Sequence, residues 1–287
     1  MMSEFEIFHL IYLIAISAIT VIFLVHTFLT RPKLSVKEIT FEAYFKFWLD
    51  EHEYHTPIEE IRGPLRPYLH AFFIAGKAYA RLGITANRVS ILGLIWALWT
   101  VECWFLGGSW ILLATLFVIF SGSTDSIDGV VAFLTDTESK LGAYYDAVLD
   151  KFGDILWVLG PIYFLFTNAT VLSTYSNFWL TFIVSIGIFG LLFAIIQEYC
   201  RARQQGLGLH ANDPVIGERL SRLGFVITLT ACIGISNFLT FLNPSPGFQN
   251  VNIWMHTYII PICFIVLLAF AIISIIQFNN KAVKELK

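Results

Sequence analysis

Five aspartates, Asp125, Asp128, Asp146, Asp150 and Asp154, stand close together between two strongly apolar stretches. On an α-helix Asp125 and Asp128 are i and i+3, and Asp146 and Asp150 are i and i+4, so each pair shares a face. One carboxylate at the bilayer centre costs about 2.5–3.5 kcal/mol on insertion scales, so four or five without compensation would cost roughly 10 kcal/mol or more. Such a cluster reads as a site. Carboxylates converging from two helices suit hard divalent cations such as Mg²⁺ or Mn²⁺, which take oxygen ligands. Two such ions about 3.5–4 Å apart would stabilise both the attacking and the leaving oxygen of a displacement at phosphorus. An aspartate within hydrogen-bond reach of an attacking hydroxyl would take its proton. The competing reading is a buried ionic network with Lys140, Lys151 and nearby arginines. Gly142 lies one turn before Asp146 and Gly129 follows Asp128. A missing Cβ at either position lets a second helix or a ligand come close.

The elements that position these acids are membrane helices. The chain has 287 residues, 57% hydrophobic and 14% charged, which excludes an ordinary soluble domain. Residues 7–29 form one apolar run long enough to span a bilayer, without the basic start of a signal peptide. Six further apolar segments follow at about 87–107, 109–134, 140–166, 177–203, 216–242 and 252–279. The expected fold is therefore all-α and polytopic: a six-helix transmembrane core, one extra N-terminal transmembrane helix, and amphipathic helices at the interface. The domain expectation is an N-terminal helix over 1–30, a linker over 31–64 and the transmembrane domain over 65–287. In the linker, Phe41, Tyr44, Phe45, Trp48 and Leu49 fall on one helical face with Glu42, Lys46 and Asp50 behind. That stripe fits a helix in the headgroup layer and equally a helix packed on the protein's own surface. Tyr68–Leu82 is a second amphipathic candidate.

The 18 lysines and arginines test the topology. Threaded through seven helices they all fall on one side or near that side's helix ends, and the connections after 107, 167 and 243 carry none. The positive-inside rule makes that side cytoplasmic, with the N-terminus outside and the aspartates at cytoplasmic helix ends. The four cysteines are scattered through apolar segments and read as buried small residues. His52 and His55 form an H-x-x-H pair with nothing beside it to complete a metal site. Asn168-Ala169-Thr170 is a glycosylation sequon on the outer side.

The aspartate stretch resembles the signature of the CDP-alcohol phosphotransferase family, D-x2-D-G-x2-A-R-x8-G-x3-D-x3-D. Here it reads Asp125-x2-Asp128-Gly129-x2-Ala132-Phe133-x8-Gly142-x3-Asp146-x3-Asp150, with phenylalanine in place of the arginine. The resemblance implies a CDP-linked lipid donor whose diphosphate is gripped by a metal. Asp125, Asp128 and Asp146 would be primary ligands, and Asp150 a further ligand and the general base. Gly129, Ala132 and Gly142 would leave room for cytidine. Phe133 brings no charge to the phosphates, and Lys140 or Arg88 is the candidate to replace it. Ile84-Thr85-Ala86-Asn87-Arg88-Val89-Ser90 resembles the family's L-T-P-N-x-V-S/T lead into its first core helix, which puts Asn87 at the cytosolic mouth. Asp154 continues the 142-146-150 face, as a structural residue or as support for the ligands.

The acceptor must be read elsewhere. Glu198-Tyr199-Cys200-Arg201-Ala202-Arg203, then Gly206-Leu207-Gly208-Leu209 and Gly217-Glu218-Arg219 through Arg222, resemble the phosphatidylinositol-phosphate and archaetidylinositol-phosphate synthase branch. By that resemblance Arg201, Arg203, Arg219 and Arg222 would hold the phosphate of inositol phosphate. The plain alternative is flanking positive charge. The expected partners are a CDP-lipid donor, a small polar acceptor alcohol and membrane lipid, with no nucleic acid and homodimerisation left open. A cation transporter and a non-catalytic scaffold compete with the enzyme reading. The first would spread its acids through the bilayer depth, and the second is motivated by Phe133.

Overall fold

The computed structural model describes residues 4–51, 65–209 and 219–286, all helix or connection with no strand among them. The helices are α1 Glu4–Leu29, α2 Phe41–Glu51, α3 Leu65–Arg81, α4 Ala86–Leu106, α5 Trp110–Thr135, α6 Lys140–Thr167, the short α7 Ala169–Thr174, α8 Asn177–Gly206, α9 Arg219–Leu242, α10 Pro246–Trp254 and α11 Ile260–Glu285. A π-helical turn, Met255–Ile259, joins the last two into one continuous run. Six of these stretches are long and apolar enough to cross a membrane: α1, α4, α5, α8, α9 and the α10–α11 run. The chain is thus the all-α, polytopic membrane protein expected. Helix α6 completes the core by its length of 28 residues but falls short in hydropathy, because Lys140, Asp146, Asp150, Lys151 and Asp154 crowd its first half.

The chain forms two compact units, and α4, α5 and α6 each run from one into the other. The first unit holds everything up to Ile95 together with Phe120–Phe152, and therefore the aspartate motif through Asp150. In it, α2 packs on α3 and α5. Phe45 and Leu49 bury against Leu69, and Tyr44 sits with Phe73, Val130 and Leu134. The aromatic stripe of the linker thus faces protein, the second of its two sequence readings. Helix α4 comes close to α5 at Gly93, where a Cβ would run into Thr124, and Ser121 Oγ donates to Gly93 O at 2.8 Å. Helix α1 is almost wholly exposed, as suits a single lipid-facing span, and Arg88 donates to Thr27 O and Thr30 O at its C-terminal end. Carbonyls at a helix C-terminus lack intrahelical partners and carry partial negative charge, so a guanidinium is well placed there.

The second unit holds Trp96–Ile119 and the chain from Gly153 onward. Its core gathers Trp104, Ile111, Phe164, Leu180, Ile183, Ile233, Phe264 and Leu267. Helices α8 and α11 lie against each other where Gly187 and Gly190 face Phe264 and Leu267. The connection after α4 opens with two glycines at positive φ, 65° and 51°, a conformation L side chains rarely adopt, and closes with Ser109. Asn168 caps α7 with its own side chain, accepting from the backbone N–H groups of Thr170 and Val171, so the sequon asparagine is built into the fold. Cys103 and Cys263 are buried as expected, whereas Cys200 and Cys232 are only partly buried.

Candidate active site

The motif lies at the C-terminal end of α5 and in the N-terminal half of α6, within the first unit. Helical periodicity turns Asp125, Asp128, Gly129 and Ala132 of α5 toward a cavity of about 720 Å³, which Gly142, Ala143 and Asp146 of α6 also line. One carboxylate oxygen from each of Asp125, Asp146 and Asp150 lies within 4.8 Å of the other two, an oxygen donor set of the kind Mg²⁺ or Mn²⁺ takes. Asp128 stands slightly apart and is only 6% exposed. It accepts a hydrogen bond from Ser90 Oγ at 2.5 Å, and lies within hydrogen-bonding reach of Asp146 and charge range of Asp125. Four carboxyls this close repel one another when ionised, so the cluster calls for a cation.

The small residues have separate roles. A Cβ on Gly129 would meet nothing within 4 Å, so that glycine is open to the cavity and is not needed for helix packing. A Cβ on Gly142 would lie 3.1 Å from Ser139 Oγ and 3.4 Å from Asn87 Oδ1. Asn87 and Lys140 both line the cavity. Arg88, the other candidate to replace the motif arginine, is committed to the end of α1. Ser90, the hydroxyl position that closes the Ile84–Ser90 stretch, is a site residue that only its contact with Asp128 reveals.

Phe133 is packed, not vacant. Its ring stacks on Phe47 of α2, centroids 4.2 Å apart, and lies 5.5 Å from the ring of Tyr44. The Lys37 ammonium stands 5.5 Å over the same ring and pairs with Asp136, while the Lys37 backbone N–H donates to Leu134 O at 2.8 Å. Tyr44, Phe47 and Trp48 of α2 also line the cavity, a contribution the sequence reading had left without a role.

Asp154 belongs to the second unit and to different chemistry. It pairs with Arg219 at 3.5 Å and Arg222 at 3.3 Å. Arg222, 5% exposed, also donates to Glu198 at 3.0 Å and Gln197 at 3.2 Å, and Arg219 stacks over Trp157 at 5.6 Å. The ionic-network reading thus holds for Asp154. Arg201 lies over the Phe278 ring at 5.3 Å and Arg203 is exposed. The His52–His55 pair and the Gly217-Glu218 step lie outside the described residues.

A family model for CDP-alcohol phosphatidyltransferase matches residues 83–262. The chain belongs to that family. Among curated relatives of this chain, the phosphatidylinositol phosphate synthase of Cutibacterium acnes is 30% identical over 47% of this chain and 60% of its own length. The archaetidylinositol phosphate synthase of Pyrococcus horikoshii is 27% identical over 57% of this chain and 79% of its own. The crystal structure of Mycobacterium tuberculosis phosphatidylinositol phosphate synthase with CDP-DAG bound has a similar fold, with a TM-score of 0.54 at 18% identity, covering 74% of this chain and 94% of that one. A second structure of that protein, in complex with manganese and citrate, superposes with a TM-score of 0.56, also at 18% identity, covering 74% of this chain and 88% of that one. Helix α2 and the linker lie before the stretch that the family model matches.

Proposed function

We propose that this phosphatidyltransferase moves a phosphatidyl-type group from a CDP-linked lipid to the hydroxyl of a polar acceptor and releases CMP, with inositol phosphate the first candidate acceptor. The observation that carries the reading is the convergence of Asp125, Asp146 and Asp150 within 4.8 Å at a cavity large enough for a nucleotide diphosphate. Asp125, Asp128, Asp146 and Asp150 would hold divalent ions, Mg²⁺ or Mn²⁺ and two in number. Bound there, the ions supply positive charge to the diphosphate and to the CMP that leaves it. Ser90 orients Asp128, and the open face at Gly129 gives the nucleotide room. The acceptor oxygen forms a bond to the lipid-side phosphorus while the bond from that phosphorus to the bridging oxygen breaks. CMP keeps that electron pair, and the hydroxyl proton passes to the Asp150 carboxylate.

Inositol phosphate is favoured by the Glu198–Leu209 pattern and by what the relatives are named for. In that reading Arg201, Arg203 and Arg219 hold the acceptor phosphate, while Arg222, the most engaged of the four, fixes their helix ends. A cytoplasmic site with the N-terminus outside is supported by connections at 107–109, 168–176 and 243–245 that carry no lysine or arginine.

The test is CMP release by purified protein from CDP-lipid with Mg²⁺ or Mn²⁺, offering inositol phosphate, glycerol phosphate, serine and inositol in turn. Release should require inositol phosphate and fall about 10²–10⁴-fold in Asp150→Asn, as for loss of a general base. No release from folded protein with any acceptor and either diacyl or ether CDP-lipid would overturn the reading in favour of a scaffold.

A further inference from the structure

A departure from the family signature and a helix outside the family-matched stretch meet in one place. Phenylalanine replaces the signature arginine at 133, and α2 stands outside the family-matched stretch; yet Phe133 is the ring on which α2 rests, through Phe47 at 4.2 Å and Tyr44 at 5.5 Å. The approach to α2 is fastened on the same spot. Lys37 bonds the Leu134 carbonyl through its backbone, pairs with Asp136, and holds its ammonium over Phe133. Glu38 reaches Lys77 and Arg81 of α3 at 2.8 Å, and Arg66 of α3 reaches Glu42 of α2. An arginine at 133 would put a second cation beside Lys37 and remove the ring under Phe47. The phenylalanine at 133 and the docking of α2 therefore read as one structural feature.

That feature gives the cavity a wall of a particular chemistry. Tyr44, Phe47 and Trp48 are its aromatic lining; every other lining residue is polar, charged, alanine or glycine. A CDP-lipid has a diphosphate, a ribose, aliphatic chains and a single planar conjugated ring, the pyrimidine. With the diphosphate at the acids, one ribose separates that ring from the metal end, and the aromatic wall is the surface in the cavity on which it can stack. We propose that α2 is the nucleobase wall of the donor pocket, with Trp48 and Phe47 as stacking faces and Phe133 as the socket that holds α2 in place. This rests on the donor being a CDP-lipid. Trp48 and Phe47 are then positioning residues for the donor, and the wall supplies by stacking some of the donor affinity that the signature arginine supplies by charge.

The experiment uses the full chain in detergent with Mn²⁺, and measures the dissociation constants of CDP and, by displacement, of inorganic pyrophosphate, which has no base. Trp48→Leu, which keeps apolar bulk and removes the ring, should weaken CDP by roughly 5- to 150-fold, the range for loss of one base–aromatic stack. Pyrophosphate should bind as in the wild type, and Trp48→Phe should restore CDP affinity. In turnover the same variant should raise KM for the CDP-lipid and leave kcat and the acceptor KM unchanged. Equal weakening of CDP and pyrophosphate would show α2 acting only through the metal end, and unchanged CDP affinity would remove the wall; either overturns the proposal while the enzyme reading stands. Wild-type protein that is folded yet binds no CDP with Mn²⁺ would overturn the enzyme reading and the wall together.

Discussion

Asp154 sits one helical turn past Asp150 and has the residue type of a metal ligand, so replacing it separates a structural acid from a catalytic one. Its carboxylate takes Arg219 at 3.5 Å and Arg222 at 3.3 Å. Removing one partner of a buried ion pair costs about 3–5 kcal/mol, and both contacts are long, so Asp154→Asn should lose about 3 kcal/mol. Arg222→Leu should cost more, about 4–5 kcal/mol, because it leaves Asp154, Glu198 and Gln197 without the guanidinium they share. The double variant Asp154→Leu/Arg222→Leu should cost less than the sum of the two single changes, since it removes both charges from a buried site. At roughly 2–4 °C per kcal/mol for a chain of this size, Asp154→Asn should unfold about 6–12 °C lower. The assay is thermal unfolding of the detergent-solubilised protein, with Mn²⁺ affinity and CMP release measured on the folded fraction. Near wild-type metal affinity together with the lower transition is the expected result. An unchanged unfolding temperature with metal affinity lost would refute the reasoning and move Asp154 into the metal centre.

Ser90→Ala removes the hydroxyl that orients Asp128, and should weaken Mn²⁺ binding about 10- to 100-fold with little change in unfolding temperature, as read by metal titration. A Cβ at Gly160 would sit 2.6 Å from Cγ of the fully buried Trp104 ring, so Gly160→Val should cost at least about 1–3 kcal/mol in thermal unfolding. The Lys77 and Arg81 side chains hold the Glu38 carboxyl at about 2, below its ordinary 4.5. Its folded value lies below its unfolded one, so these contacts are fully formed above about pH 4.5 and are lost as pH falls through about 2. Hydrogen exchange of residues 34–40 should accordingly be unchanged between pH 7 and pH 5.5 in the wild type and faster at both in Glu38→Gln, after correction for the intrinsic rate.

The aspartate cluster and the membrane class were legible in the order of residues because both depend on local regularities. Helical spacing alone puts Asp125 with Asp128 and Asp146 with Asp150, and hydropathy alone marks the spans, since a bilayer core admits few charges. Helix α6 shows the two signals in tension: the acids that reveal the site also lower the hydropathy of the helix that carries them. The Phe41–Leu49 stripe defined a helix and a face without naming what covers it, because a headgroup layer and a protein surface reward the same pattern.

Partners distant in sequence were decided by the tertiary structure. Arg88 and Lys140 were equal candidates to replace the missing arginine until packing committed Arg88 to the carbonyls ending α1 and left Lys140 lining the cavity. Phe133 looked like a loss of charge in the motif, and only the docking of α2 makes it a socket. Asp154 continues the face of the ligands by periodicity, but Arg219 and Arg222 from α9 claim it. The types and spacing of the residues determined that this is a membrane helical protein with a carboxylate cluster of the kind that suits divalent cations. Which charges answer one another, and what walls the pocket, depended on helices brought together from far along the chain, and no local period encodes that.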